Sequence, residues 1–209
     1  MMPGSTAFRI VEALTRQIRI VSLKQTKDCW WPDFSNTKRA RRKLMQMVER
    51  GWIERHLINA HPMLPVTQPL FAWRLGMPDP DPEAVSQRCH ERWNRPAILT
   101  EVFVASPLAA SVLGSTARGL PRREQWDHDL LLTSVYVHYH RHRPKLASTW
   151  IGEHSLPKAG YRIKDPDAFL MNSQRRVLCV IESAGRYSPD QVESFHEHCA
   201  ERELPYELW

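Results

Sequence analysis

Two acidic residues stand at matching ends of a predicted β-hairpin in the stretch KDPDAFLMNSQRRVLCVIESAG, which spans residues 164–185. Asp167 begins the first apolar run, the residues NSQ form the turn, and Glu182 closes the second apolar run. Carboxylate oxygens are the ligands that Mg²⁺ prefers. The two carboxylates are therefore candidate ligands for a metal ion.

The elements around this hairpin have a readable order. The pattern predicts a helix over REQWDHDLLLTSVYVHYHRH, strands over STWIGEHSL, YRIKDPDAFLMN and RRVLCVIES, a helix over PDQVESFHEHCAERE, and a short final edge strand over PYELW. Ser188 is the predicted N-cap of the second helix, with Pro189 at its first position. Residues 123–209 thus form a predicted α-β-β-β-α-β unit.

This order resembles the core of the PD-(D/E)xK, or restriction-endonuclease-like, nucleases. The resemblance implies that Asp167 is the motif aspartate and Glu182 the strand carboxylate of a Mg²⁺ site, with Glu153 as an extra ligand. An acid near the first helix is the alternative extra ligand: Glu124, Asp127 or Asp129. The resemblance also implies a catalytic lysine two residues after Glu182, where this chain has Ala184.

The missing lysine leaves two readings open. Either Lys164 or Arg186 supplies a cation from a shifted position, which makes Asp167, Glu182 and Lys164 a catalytic set, or the two carboxylates are structural and the site is degenerate. The sequence favours the degenerate site. Lys164 falls on the opposite strand face from Asp167, and Arg186 follows a glycine that ends the strand.

The positive charge of the chain is concentrated near its start. The formal net charge is +6, and residues 1–76 contain 13 Lys and Arg against 5 Asp and Glu. The stretch SNTKRARRKLMQMVERGWIERHLI begins with a predicted helix, and five cations crowd its first two turns: Lys38, Arg39, Arg41, Arg42 and Lys43. Like charges at this spacing repel one another unless something neutralises them. The pattern therefore predicts contact with a polyanion such as DNA.

The same helix has clear limits and a clear apolar face. Ser35 or Asn36 is the predicted N-cap, Gly51 is the predicted stop, and the apolar face is formed by Ala40, Leu44, Met47 and Val48. Two further helices precede it, and a hairpin of WIERHLI with PLFAWRL is predicted to follow, with residues 60–68 as its loop. Residues 1–76 resemble a winged helix-turn-helix domain, which implies that the five cations lie in the major groove of duplex DNA.

A Pro- and Asp-rich segment follows this first domain. Residues 77–83 read MPDPDPE and are predicted to be a linker at a domain boundary. Residues 77–122 then contain connecting elements, which include a short helix over residues 84–93, a strand over residues 98–105 and a helix over residues 107–113. The predicted fold class is therefore mixed α/β, with a winged helix at 1–76 and a nuclease-like domain at 123–209.

A winged helix followed by a nuclease-like domain with His128, Asp129 and Leu130 at its first helix, and without the lysine, also resembles the replication-relaxation family. That resemblance implies duplex DNA binding in the replication, mobilisation or regulation of a plasmid or mobile element. A homodimer and a replication or recombination protein are the further partners it implies. Two alternatives stay open: a Mg²⁺-dependent endonuclease or nickase targeted by the winged helix, and a winged-helix transcriptional regulator whose ligand pocket no sequence can show. DNA binding itself requires no cofactor.

The cysteines and the hydropathy predict a cytoplasmic protein. Cys29, Cys89, Cys179 and Cys199 are far apart and show no paired spacing, which favours free thiols in a reducing compartment. No window approaches the roughly 20 apolar residues of a membrane span. We therefore expect no membrane partner.

Overall fold

The computed structural model describes residues 2–62, 66–116, 119–155, 166–174 and 176–209. Within these ranges the protein is a mixed α/β fold with two β-sheets, which confirms the predicted fold class. In chain order the elements are α1 (Thr6–Arg16), β1 (Val21–Ser22), α2 (Leu23–Trp30), α3 (Thr37–Glu49), β2 (Ile53–Ala60), β3 (Phe71–Trp73), α4 (Pro82–Glu91), β4 (Ile98–Ala105), α5 (Pro107–Leu113), α6 (Trp126–His142), α7 (Pro144–Ala147), β5 (Trp150–Gly152), β6 (Ala168–Met171), β7 (Val177–Glu182), α8 (Pro189–Ala200) and β8 (Tyr206–Leu208).

The first sheet has the order β1-β4-β2, and its strands are antiparallel. The predicted hairpin of WIERHLI with PLFAWRL is wrong, because β2 pairs along its whole length with β4, from Ile53 opposite Ala105 to Ala60 opposite Ile98. The physical reason is the equal length of the two strands together with the burial of β4. Both strands have eight residues, and Phe103 of β4 is fully buried. Residues 61–97 therefore form an insertion between two paired strands.

The second sheet has the order β3-β8-β7-β6-β5, with β8 parallel to β7 and the other neighbours antiparallel. The sequence predicts the final strand at an edge of the sheet. That prediction is wrong, because β8 lies between β7 and β3 and pairs with both. Trp73 of β3 stacks on Tyr206 of β8 with ring centroids 5.9 Å apart. The predicted boundary at residues 76–77 thus does not follow the division between the sheets: β3 lies in the second sheet, and β4 lies in the first.

Helix α6 lies between the two halves of the molecule. Nine successive residues, Asp129 to Val137, are buried, so the middle of the helix has no solvent face. Leu130 packs against a cluster from β2 and β4, whereas Tyr139 contacts the rings of Trp150 and Trp209. The helix is therefore shared by both cores.

Hydrogen bonds fix α6 to the first half of the chain. The Thr133 hydroxyl donates to the carbonyl of Ile20 over 2.6 Å, and the Gln25 side chain donates to the carbonyl of Leu130 over 2.7 Å. All of these groups are buried, so each bond satisfies a polar atom that would otherwise be costly to bury.

Helix α8 begins as the sequence predicts. The Ser188 hydroxyl accepts from the Gln191 amide, and Pro189 occupies the first helical position. The four cysteines are free thiols, as predicted. No helix in the described part of the chain is both long and apolar enough to cross a membrane.

The pairing of β2 with β4 can be tested by a crosslink. Asn59 and Leu99 are exposed register partners, and directly opposite residues in an antiparallel pair have Cα atoms about 4.5–5.5 Å apart, within disulfide range. We expect Asn59→Cys with Leu99→Cys, in a Cys179→Ser background, to form an internal disulfide on mild oxidation. Non-reducing electrophoresis and intact mass measure the product.

The control places the second cysteine in the strand that the sequence predicts as the partner. Asn59→Cys with Leu75→Cys is expected to stay reduced, because Leu75 follows β3 of the other sheet. Efficient crosslinking of that pair, with none between residues 59 and 99, contradicts the described topology.

Candidate functional site

Helix α3, which contains the five predicted cations, is held by an N-cap, a glycine stop and a buried apolar face. The Asn36 side chain accepts from the Lys38 amide over 3.0 Å and caps the helix. Gly51, with φ of 72°, ends the turn that follows, in a backbone region that favours glycine. The buried face contains Ala40, Leu44 and Met47, so the predicted cap, stop and apolar face are confirmed.

All five predicted cations of α3 are exposed: Lys38, Arg39, Arg41, Arg42 and Lys43. Lys38 and Arg42 lie two positions before and after the buried Ala40. At 3.6 residues per turn, these two side chains are on the side of the helix opposite the core. They point furthest from the protein surface.

The five cations are not equivalent. Arg41 Nε is 3.1 Å from Glu101 Oε1 of β4, and Arg55 also pairs with Glu101. The Arg39 guanidinium lies over the Phe34 ring, 4.4 Å from its centroid. Within the described residues, no ion pair to Lys38, Arg42 or Lys43 is present. These three cations are the ones available to an external anion.

The electrostatics of the α3 N-terminus are unfavourable in the isolated protein. The first turn contains no acidic residue, although the positive end of the helix dipole favours negative charge there. Lys38 and Arg39 instead add positive charge to that end. A phosphate group at this position would relieve both the dipole and the repulsion between the side chains.

The structure brings the two predicted hairpin carboxylates together. The register of β6 with β7 pairs Ala168 with Ile181, so Asp167 lies opposite Glu182. The Asp167 amide donates to Glu182 Oε2 over 3.3 Å. The two residues are 6% and 1% exposed. Their proximity follows from the register, whereas their role as metal ligands stays a prediction.

The oxygens of this pair accept hydrogen bonds from the protein. The Ser183 amide donates to Asp167 Oδ2 over 2.6 Å, and the Tyr187 hydroxyl donates to Glu182 Oε1. Each carboxylate is therefore held in place by neighbouring donors. Such bonds stabilise buried negative charge.

A histidine from α6 lies beside the buried carboxylate of Asp167, where a positive charge would offset the negative one. His128 Nε2 is 3.0 Å from Asp167 Oδ2, and its Nδ1 is 3.1 Å from Asp129 Oδ1. Arg19 lies 3.9 Å from the other oxygen of Asp129. We call His128, Asp129, Asp167 and Glu182 the acidic cluster. The cluster joins the start of α6 to the hairpin of the second sheet.

The imidazole of His128 is charged in this setting. Burial alone would lower its pKa, but the charge of Asp167 and the hydrogen bonds to Asp129 and Asp167 outweigh burial and raise the pKa to about 11. The sequence contained a signal for this residue, namely a His-Asp pair at the start of the helix. What it could not show was that Asp167, 39 positions away in the chain, lies beside that pair.

Residue 184, where the resemblance implies a lysine, lies in the apolar core. Ala184 is fully buried and packs in an apolar cluster with Val192 and Phe195 of α8. Arg186 is exposed beyond the end of β7, and Lys164 lies outside the described residues. Arg186, the one of these two predicted substitutes that the structure describes, is therefore exposed to solvent, whereas Asp167 and Glu182 are buried.

The other predicted metal ligands are dispersed. The Glu153 amide donates to the carbonyl of Asp167 over 2.9 Å, which places its backbone near the cluster. Asp127 instead binds His61, with 2.7 Å from the His61 amide to Oδ1 and 2.7 Å from His61 Nδ1 to Oδ2. Glu124 is exposed in a 3₁₀ turn before α6. Asp129, the remaining predicted ligand, belongs to the acidic cluster.

The donors around Asp167 and Glu182 bear on Mg²⁺ binding. The ion requires a near-octahedral shell of oxygens, whereas these two carboxylates accept from backbone and hydroxyl donors, and His128 Nε2 lies 3.0 Å from Asp167 Oδ2. Among the described residues, no group of three or more His, Cys, Asp and Glu is arranged to hold a metal. The acidic cluster in this arrangement is an ion-pair network.

No protein-family model, no curated protein and no solved structure matches the chain. The chemistry of α3 and of the acidic cluster is therefore the basis for assigning a function.

The His128 network makes stability depend on pH. The unfolded imidazole loses its proton near pH 6.5, whereas the folded one keeps it to about pH 11. The stabilisation is therefore fully present below about pH 6.5 and is lost as pH rises through that interval. We expect the difference in urea midpoint between the wild type and His128→Gln to be larger at about pH 6 than at about pH 9.5.

The exposed His90 supplies the matched control. His90→Gln is expected to leave the urea midpoint within error of the wild type at both pH values. A His128→Gln difference that is constant with pH, or that grows towards pH 9.5, contradicts the charged network.

Proposed function

We propose that the protein binds duplex DNA through helix α3. The observation that carries this proposal is the set of unpaired, exposed cations on the first two turns of a firmly anchored helix. Lys38 and Arg42 project directly away from the core, and Lys43 is also available. The width of one helix matches the major groove of B-DNA, where Arg and Lys reach phosphates and guanine edges.

We further propose that the first half of the chain is a winged helix-turn-helix unit. Its support is the element order α1-β1-α2-α3-β2-β4 together with the sheet order β1-β4-β2. In such a unit the third helix is the recognition helix. The insertion at residues 61–97 replaces the short loop that usually forms the wing.

The second sheet then acts as a platform rather than as a catalytic domain in our proposal. The order α6-β5-β6-β7-α8-β8 agrees with the α-β-β-β-α-β core of the nuclease-like class. The support for a degenerate site is the charged His128 beside Asp167 and the burial of Ala184 in an apolar cluster. An Mg²⁺-dependent endonuclease is the competing function.

The biological setting stays a prediction from the resemblance to the replication-relaxation family. Replication, mobilisation or regulation of a plasmid or mobile element is the process that this resemblance implies. A homodimer or a replication or recombination protein is the partner that it implies for the second half of the chain. DNA binding by α3 is common to all of these settings.

The DNA contact can be tested at Arg42. Each phosphate contact contributes about one unit to the slope of log affinity against log salt concentration. We expect Arg42→Ala to weaken duplex binding and to reduce that slope by about one, whereas Arg41→Ala has a smaller effect because Arg41 is paired with Glu101. Fluorescence anisotropy with a labelled random-sequence duplex at several salt concentrations measures both quantities.

The control is Arg123→Ala, which removes an exposed arginine from the 3₁₀ turn before α6. It is expected to bind DNA like the wild type. Equal affinity and equal salt slope in wild type, Arg42→Ala and Arg123→Ala would sink the assignment of α3 as the DNA-binding helix.

The competing nuclease function makes the opposite forecast for plasmid DNA. Because Ala184 stands where the nuclease-like class has its lysine, and Asp167 and Glu182 already accept hydrogen bonds from the protein, we expect no nicking or linearisation of supercoiled plasmid with either Mg²⁺ or Mn²⁺. Agarose electrophoresis of wild type, Asp167→Asn and Glu182→Gln is the measurement. Metal-dependent nicking by the wild type that both substitutions abolish contradicts the platform proposal and establishes the enzyme.

A further inference from the structure

A cleft opens along helix α6, on the side of the first sheet. It has a volume of about 660 Å³, within the roughly 300–1,000 Å³ of sites that hold small molecules. Helix α2, Thr37 of α3, the start of β4 and α6 from Leu130 onward form its walls, together with His61, Pro62 and Val66. Neither α3-mediated DNA binding nor the acidic cluster accounts for it.

The body of the cleft is apolar. Leu23 of α2 and Val137 of α6 line it, and Ile98 and Leu99 at the start of β4 form its rim. Ile98 is 51% exposed and Leu99 is 67% exposed, which is unusual for neighbouring large aliphatic side chains. Covering apolar surface of this kind with a hydrophobic group is thermodynamically favourable.

The polar side chains of α2 inside the cleft are already satisfied. Gln25 donates to Ser134 Oγ over 2.8 Å. Lys24 Nζ is 2.7 Å from Asp28 Oδ2, and Lys27 also pairs with Asp28. These groups therefore have little remaining attraction for a charged ligand.

Glu101, which lines the cleft together with Asp28, is also paired with cations. Glu101 pairs with Arg41 and Arg55. Arg141, near the end of α6, is exposed and has no ion pair or hydrogen bond with any described residue. His142 and His138 lie beside it, with ring centroids 4.8 Å apart. One wall of an apolar cleft thus presents an uncompensated guanidinium.

We propose that this cleft binds a small organic anion with an apolar body. The acid group pairs with the Arg141 guanidinium, which is suited to two parallel hydrogen bonds with a carboxylate or sulfonate. The apolar body lies between Leu23 and Val137 and is covered by Ile98 and Leu99. The charge of Arg141 selects for an anion, and the walls select for a hydrophobic one.

The experiment uses 8-anilinonaphthalene-1-sulfonate, an aromatic sulfonate that becomes fluorescent in apolar surroundings, and N-phenyl-1-naphthylamine, its uncharged analogue. We expect the wild-type protein to bind one molecule of the sulfonate per chain. Arg141→Ala is expected to weaken that binding about tenfold, the loss of one charge-assisted contact of about 1.4 kcal/mol. Binding of the uncharged analogue is expected to be the same in both proteins.

Two further variants locate the site. Arg141→Lys keeps the charge and is expected to bind the sulfonate more tightly than Arg141→Ala. Leu99→Ser shortens the apolar rim and is expected to weaken both probes. Because Arg141 and Leu99 are exposed, these changes leave the core intact, which thermal melting checks.

The control separates this proposal from DNA binding by α3. Arg42 lies outside the cleft. The Arg42→Ala variant is therefore expected to bind the sulfonate like the wild type, whether or not α3 binds DNA. Equal sulfonate affinity in wild type and Arg141→Ala overturns the proposal. The proposal is also overturned if single-stranded oligothymidylate displaces the sulfonate by binding Arg141, because the occupant of the cleft is then a nucleic-acid strand.

Discussion

Burial of helix α6 on nearly every side is the constraint on which the rest of the structure depends. A helix without a solvent face needs partners on both sides, and the two sheets supply them. Thr133 is bonded to the first half of the chain, and Tyr139 donates to Glu207 of the last strand over 2.6 Å. The start of α6 places His128 beside Asp167. The functional groups of both halves are therefore held in a fixed relation by one helix.

The insertion at residues 61–97 completes that relation. It leaves the first sheet after β2, adds β3 to the second sheet and returns as β4, so the chain crosses between the halves twice. Its side chains also bond to the far half: Ser86 Oγ donates to the Tyr187 carbonyl over 2.8 Å, and Trp93 Nε1 donates to the Gly185 carbonyl over 2.9 Å. In the proposed winged helix, a segment that is usually a free wing is committed to packing.

In the acidic cluster, a histidine from another element lies beside Asp167, and alanine stands where the nuclease resemblance implies a lysine. A lysine at position 184 would have to enter the apolar cluster that now holds Ala184. The cation that balances Asp167 comes instead from α6, as His128. An imidazolium held by two carboxylates stabilises the junction of helix and hairpin, since it offsets buried negative charge.

The sequence by itself determined the local structure: the cap, stop and apolar face of α3, the start of α8 at Ser188, and the strand at residues 98–105, because caps, prolines and apolar periodicity act over a few residues. It also determined that Asp167 and Glu182 meet, since a hairpin register is a local property. Only the tertiary structure decided the partner of β2, the interior position of β8, the approach of His128 to Asp167 and the cleft beside Arg141. Each of these depends on contacts between segments far apart in the chain, for which several pairings satisfy the same local pattern and packing selects one.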